Sequence, residues 1–173
     1  IPTVAAVTSG NTLTIEPGVV VKFGDAAQLV VSGNLEATGT ADDPIVFTSY
    51  HDDSYAGDTN GNGNVTSPTF QDWNGIVFPM LHVVPIGEFD YVIMQYGGGE
   101  DSSAMLALRS GNISIANSTF QYSAYGLLDS LPTVYLIVDR SIFDVNGSSG
   151  WYAVNGSGQI TNSSFSGSYQ VCL

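Results

Sequence analysis

The feature that most constrains this chain is a recurrence. The stretch from Ile113 to Phe120 reads I-S-I-A-N-S-T-F. From Ile115 to Phe120 an aliphatic residue precedes an aromatic one by five positions, and Val138 to Phe143 and Ile160 to Phe165 repeat that pattern. Tyr91 to Tyr96 is a looser copy. The aromatic ends fall at 96, 120, 143 and 165, which makes the intervals 24, 23 and 22 residues. Self-similarity at this period marks stacked repeats, each burying its apolar face only against its neighbours.

The local pattern agrees. Leu13 and Ile15 alternate with Thr14 and Glu16, Pro17-Gly18 makes a turn, and Val19, Val21 and Phe23 resume the alternation. Leu29, Val31, Leu35 and Ala37 do the same across Ser32-Gly33-Asn34, and Ile45-Val46-Phe47 follows Asp42-Asp43-Pro44. Period two means strands, and no segment holds a helical period over ten residues. An all-β solenoid follows: a parallel β-helix with about three short strands per rung. Starting points at Leu13, Leu29, Ile76, Leu106, Val134 and Val154 give about six rungs. At about 4.8 Å per rung the stack is on the order of 30 Å long. An antiparallel sandwich also has short strands, but it leaves the fixed aromatic interval unexplained.

Within such a stack, Phe120, Phe143 and Phe165 are expected to form an inner aromatic column. Asn117 and Asn162 share an offset two residues after the aliphatic position and suggest an inward asparagine ladder. Arg140 holds that offset between them, which would break it.

The pattern stops from Tyr50 to Trp73. That segment is long, polar and rich in Asp, Asn and Gly, so residues 51–73 read as an insertion in a single domain spanning 1–173. An insertion of this length is usually functional or internally organised. Asp58-Thr59-Asn60-Gly61-Asn62-Gly63-Asn64 places oxygen side chains at positions one, three and five and Gly at six, like the first half of a calcium loop. Asn64 would add its backbone carbonyl. Thr69 stands where a bidentate Glu would be needed, so Asp52, Asp53 or Asp72 would have to supply further charge. The bland alternative is an Asx-turn loop with no metal.

Composition narrows the function classes. The 173 residues carry 3 Lys+Arg against 16 Asp+Glu, a formal net charge of -13. Such a surface repels nucleic acid, anionic membrane and polyanionic sugars. No run of 18 apolar residues occurs, so no spanning helix is expected. Charged residues make up only 11%, so Ser, Thr, Asn and Gly supply most of the polar surface, as suits an extracellular or surface-displayed protein. The lone Cys172 has no internal disulfide partner. The chain opens with neither Met nor a basic leader, which reads as a mature terminus or an edge cut from something longer.

Several phrases carry a family resemblance: L-T-I-E-P-G-V-V-V-K-F, G-T-A-D-D-P-I-V-F-T-S-Y, D-D-S-Y-A-G-D-T-N-G-N-G and D-W-N-G-I-V-F. They resemble right-handed parallel β-helix repeat proteins of prokaryotic cell surfaces, over roughly Asn11 to Tyr96. The resemblance implies a pectate-lyase-like fold, usually a module of a larger secreted or anchored protein, and it points the same way on calcium. It implies no one activity, because the superfold hosts lyases, hydrolases, adhesins and spacers.

Other candidate sites are thinner. Asn-X-Ser/Thr triplets begin at Asn64, Asn112, Asn117, Asn146, Asn155 and Asn162; a ladder role for Asn117 and Asn162 would leave Asn64, Asn112, Asn146 and Asn155 as glycan acceptors. A glycosidase needs two carboxylates across a groove. Asp42, Asp43, Glu100, Asp101, Asp129, Asp139 and Asp144 form no such pair by offset, and the only cations are Lys22, Arg109 and Arg140. His51 and His82 lie far apart. Tyr122, Tyr125, Trp151, Tyr152 and Tyr169 offer a face for neutral glycans, unless they are simply packing residues. The expectation is a non-catalytic extracellular structural or interaction module whose partners are copies of itself or flanking modules of a longer chain. Its ends, residues 1–8 and 166–173, suggest end-to-end filament formation. A carbohydrate-binding adhesin is the alternative, and a polysaccharide lyase or hydrolase comes third.

Overall fold

A computed structural model describes residues 4–99, 104–123, 126–131, 133–144, 151–154 and 157–166. Asn146, Asn155, Cys172, Glu100, Asp101, Tyr125 and Tyr169 lie outside the described residues, as do the side chains of Asp129, Trp151 and Tyr152.

Each rung is three short strands. The first is β1 (Val4–Val7), β2 (Thr12–Ile15) and β3 (Val20–Phe23); the second is β4 (Gln28–Val31), β5 (Asn34–Thr38) and β6 (Ile45–Ser49). The third holds β7 (Gly75–Phe78), β8 (Ile86–Asp90) and β9 (Val92–Gln95), and the fourth β10 (Leu106–Leu108), β11 (Gly111–Ala116) and β12 (Thr119–Gln121). The fifth holds β13 (Gly126–Ser130), β14 (Val134–Asp139) and β15 (Ile142–Asp144), and the sixth β16 (Trp151–Val154), β17 (Ser157–Thr161) and β18 (Ser164–Ser166). Corresponding strands pair in parallel, giving three six-stranded sheets ordered β1-β4-β7-β10-β13-β16, β2-β5-β8-β11-β14-β17 and β3-β6-β9-β12-β15-β18. We call them the first, second and third sheets. The chain is a parallel β-solenoid of about six turns, and no helix occurs among the described residues.

Alternation decides which side chains go inside. On the second sheet Ile15, Ala37, Phe89, Ile115, Val138 and Ile160 fall into one register column, and Leu13, Leu35, Gly87, Ile113, Leu136 and Gly158 into another. Most of these aliphatic and aromatic members are buried, and each such side chain contributes roughly 1.5–3 kcal/mol. Gly87 leaves room for its neighbours. A Cβ there would lie 2.7 Å from Ile113 Cδ1 and 2.8 Å from the Phe78 ring, and the vacated space lets Phe78 meet the edge of Phe89.

On the third sheet the inner column runs Val21, Phe47, Met94, Phe120, Phe143, Phe165. Phe120 stacks on Phe143 at 4.8 Å and Phe143 on Phe165 at 4.7 Å. The residue in this column on rung three is Met94, not Tyr96 as the looser repeat suggests. Tyr96 lies two residues further on and stacks instead on Tyr122, at 5.2 Å. The spacing from Met94 to Phe120 is therefore 26 residues rather than 24, because the link between these rungs is longer.

Candidate functional site

Between β6 and β7 the chain leaves the stack and returns. Where it lies, β6 is buried on both faces, and even Thr48 and Ser49 are fully covered. The insertion is thus a cover over β6 and the adjoining end of β9, and its carboxylates hold it there. Asp52 is 2% exposed. Its Oδ2 accepts hydrogen bonds from the Thr48 hydroxyl at 2.6 Å and Gln95 Nε2 at 2.8 Å, and its Oδ1 accepts from the Ser54 N–H at 3.0 Å and the Ser54 hydroxyl at 2.5 Å. Burial pushes the Asp52 pKa up, but the bonds from Ser54, Thr48 and Gln95 outweigh it, and the pKa is lowered. The chain of amides continues outward, as Gln121 Nε2 donates to Gln95 Oε1 at 2.8 Å. At the returning end, Asp72 accepts from the Ser49 hydroxyl at 2.5 Å and from both the N–H and the hydroxyl of Thr69. Trp73 then plugs the core, stacked on Phe23 at 4.1 Å, with its indole N–H on the Gln95 carbonyl.

The tip has its own order. Asp58 Oδ1 accepts the N–H groups of Gly61 and Asn62, and Oδ2 accepts that of Gly63. Those three bonds, led by the one from Gly63, lower the Asp58 pKa. Gly61 and Gly63 have φ of 71° and 63°, a left-handed conformation open to Gly. Asn62 N–H also reaches Asn60 Oδ1 at 3.1 Å, so Asp58 Oδ1 and Asn60 Oδ1 converge on one donor. The Thr66 hydroxyl gathers His51 Nδ1, Asn60 Nδ2 and Asn62 Nδ2, and His51 Nε2 meets Asp25 at 2.8 Å. Lys22 Nζ donates to the Gly57 carbonyl at 2.8 Å, tying the tip to rung one.

The structure therefore divides the seven candidate ligands. Asp58, Asn60 and Asn62 share the tip. Asp52, buried, and Asp72, partly exposed, anchor the two ends of the insertion. Asp53 and Asn64 border a cavity of about 310 Å³ between the insertion and Tyr96. Among the described residues, no three of His, Cys, Asp and Glu gather closely enough to hold a metal ion. At the tip, Asp58 and Asn60 direct side-chain oxygens to the same turn, and Asn62 Oδ1 is buried with no hydrogen-bond partner. Asp53 Oδ1, at the cavity, is buried and unpartnered in the same way.

The asparagine ladder differs from expectation. Asn117, Arg140 and Asn162 take left-handed turn positions, with φ of 47°, 46° and 50°, on the flank of the stack rather than inside it. Arg140 continues the ladder instead of breaking it: its Nε–H donates to Asn117 Oδ1 at 2.8 Å, because a guanidinium can supply the donor that an amide would. Asn117 Nδ2 donates to Asp90, and Asn162 Nδ2 to Asp139, which is also paired with Arg140. Bonds from Asn162 and Thr161, with the Arg140 charge, lower the Asp139 pKa. The sequons at Asn117 and Asn162 thus have engaged amides, whereas Asn64 and Asn112 are exposed.

A second ladder went unread in the sequence. The hydroxyl of Ser141 accepts the N–H of Ser118 at 3.2 Å, and that of Ser163 accepts the N–H of Ser141 at 3.1 Å. Each hydroxyl donates in turn to a carbonyl two residues before it. The signal was present: a Ser stands two residues before each of Phe120, Phe143 and Phe165. Tyr122, the one described side chain of the expected glycan-binding aromatics, is half-buried in its stack with Tyr96. No protein-family model, curated protein or solved structure matches the chain.

Proposed function

We propose that this chain is a non-catalytic extracellular structural module: a rigid β-solenoid spacer of the cell-surface β-helix type that its sequence phrases resemble. The observation that carries the reading is how the insertion spends its carboxylates. Asp52 and Asp72 accept seven hydrogen bonds between them from their own chain, four and three respectively. A catalytic carboxylate must meet a substrate, and these two are committed to holding a cover on a sheet. An activity screen over neutral and acidic polysaccharides tests this. Turnover that disappears in Asp53→Asn or Asp144→Asn would overturn it.

In this reading the tip is a structural calcium loop held by Asp58, Asn60 and Asn62, and the metal's contribution is charge neutralisation and order at the turn. Calorimetry near neutral pH should show weak calcium binding that Asp58→Ala abolishes; absence of binding removes the calcium from the proposal. The edge strands β1, β2 and β3 at one end and β16, β17 and β18 at the other offer ladders that flanking modules or further copies can extend. Light scattering and electron microscopy test assembly between copies, and a protein that stays monomeric at high concentration removes the filament.

A second reading, binding of a neutral glycan, draws on the cavity beside Tyr96, where Asp53 leaves a buried acceptor without a donor. Titration with neutral oligosaccharides tests it, and binding unchanged by Asp53→Ala counts against it.

A further inference from the structure

The outer face of the second sheet is unlike the rest of the surface. In register across it, Ile86 of β8, Asn112 of β11 and Tyr135 of β14 form one row, and Glu36, Glu88, Ser114 and Ile137 form the next. The short Asn112 and Ser114 lie between taller side chains, and the result is a trough of about 260 Å³ along β11. Its walls are apolar. Ile86, Tyr135 and Ile137 are 44%, 47% and 39% exposed. The link that leads into β8 extends the apolar surface with Met80, Val83 and Val84, each more than half exposed. Six of the twelve large exposed hydrophobic residues among the described residues therefore belong to this one region, and clustering of that kind marks an interaction surface.

The charge of the face identifies the partner's chemistry. The described outward positions of the second sheet carry Glu36 and Glu88 beside the trough and no Lys or Arg; Asp90 and Asp139 lie at the strand ends, where Asn117 and Arg140 engage them. Glu36 and Glu88 are register partners on adjacent strands, and like charges placed directly opposite destabilise a sheet. A second copy of this chain, at -13, would add to that repulsion. A cation relieves it.

We propose that this trough is a docking site for a basic polypeptide segment in extended form. Such a segment lies along β11 between the ridges of β8 and β14. Its alternate side chains face the sheet, about 7 Å apart, which is the spacing of the Ile86 row from the Glu88 row. An apolar side chain then seats between Ile86 and Tyr135. A lysine or arginine two residues away crosses Ser114 and brings its charge to Glu88, with Glu36 on the strand beyond.

The test is fluorescence anisotropy with labelled peptides built on repeated Leu-Ser-Lys units. The controls are Ser-Ser-Lys, of equal charge, and Leu-Ser-Glu, of equal hydrophobicity. The Leu-Ser-Lys peptide should bind, Ser-Ser-Lys at least about fivefold more weakly, and Leu-Ser-Glu not measurably. On the protein, the double change Tyr135→Ser and Ile137→Ser leaves the charge untouched, and Glu88→Gln leaves the walls. Each should weaken binding about fivefold or more, the loss that singles out an energetically important contact. The exposed positions should leave the circular dichroism and melting curve unchanged, and Glu88→Gln serves if the wall variant does not fold. Equal binding of Leu-Ser-Lys and Ser-Ser-Lys, or no effect of either variant, would mean diffuse attraction to an acidic protein and overturn the proposal. So would a neutral oligosaccharide that displaces the peptide from the trough.

Discussion

Replacing Phe143 with Ala should empty the middle of the aromatic column. Phe143 is fully buried and lies between Phe120 at 4.8 Å and Phe165 at 4.7 Å, with interplanar angles of 13° and 2°. Removing a buried Phe costs about 3–5 kcal/mol, as lost transfer energy plus the cavity left behind. Two stacked contacts are broken at once, which places the expected loss in the upper part of that range. For a chain of this size each kcal/mol lowers Tm by about 2–4 °C, so a drop of roughly 8–20 °C is expected by scanning calorimetry. Phe143→Leu refills much of the space and should recover more than half of it. The damage should also be directional: because each rung contacts its neighbours, hydrogen-exchange protection should fall first in β12 and β18 and last in β2. A loss below about 1 kcal/mol, or a uniform fall in protection, would refute the columnar reasoning.

Acid should weaken the fold, with a sign fixed by three carboxylates. Asp52, Asp58 and Asp139 all have folded pKa values lowered from the ordinary 3.8. Their contribution is fully present above that unfolded value and is lost as pH falls through the lowered folded values. Melting temperature should stay flat toward neutral pH and fall below about 4, less steeply in Asp52→Asn; an unchanged slope in that variant would contradict the assignment. Ser141→Ala should cost about 1–3 kcal/mol in denaturant unfolding, because it strands the buried N–H of Ser118; a neutral result would discount the serine ladder. Gly97→Ala should destabilise through contact with the indole, since its Cβ would lie 2.7 Å from Trp73. Unchanged stability would show that Trp73 can yield.

The stack itself was legible because solenoid registers repeat: Phe120, Phe143 and Phe165 share one geometry, and one spacing betrays all three. Met94 was missed because an unbranched thioether fills the same slot without aromatic character, while Tyr96 imitated the pattern two residues late. Arg140 looked like a break because residue type was read as role, although the turn asks only for a donor. The insertion was legible as an organised loop and not as a cover. Nothing local in Thr48 or Asp52 says that Gln95, a rung away, will bond to both. Pairing across 43 to 47 residues of sequence is a product of the fold.

Hydrogen exchange on Asp52→Ala decides whether the insertion is part of the solenoid's own structure. If the insertion is a cover integral to the stack, losing the carboxylate leaves Thr48, Ser54 and Gln95 without their shared acceptor. Protection should then fall across residues 50–72 and also in β6 and β9 beneath, while β14 and β17 keep theirs. Protection lost from the insertion alone, with β6 and β9 unchanged, would contradict this and leave the insertion as a loop that merely rests on the solenoid.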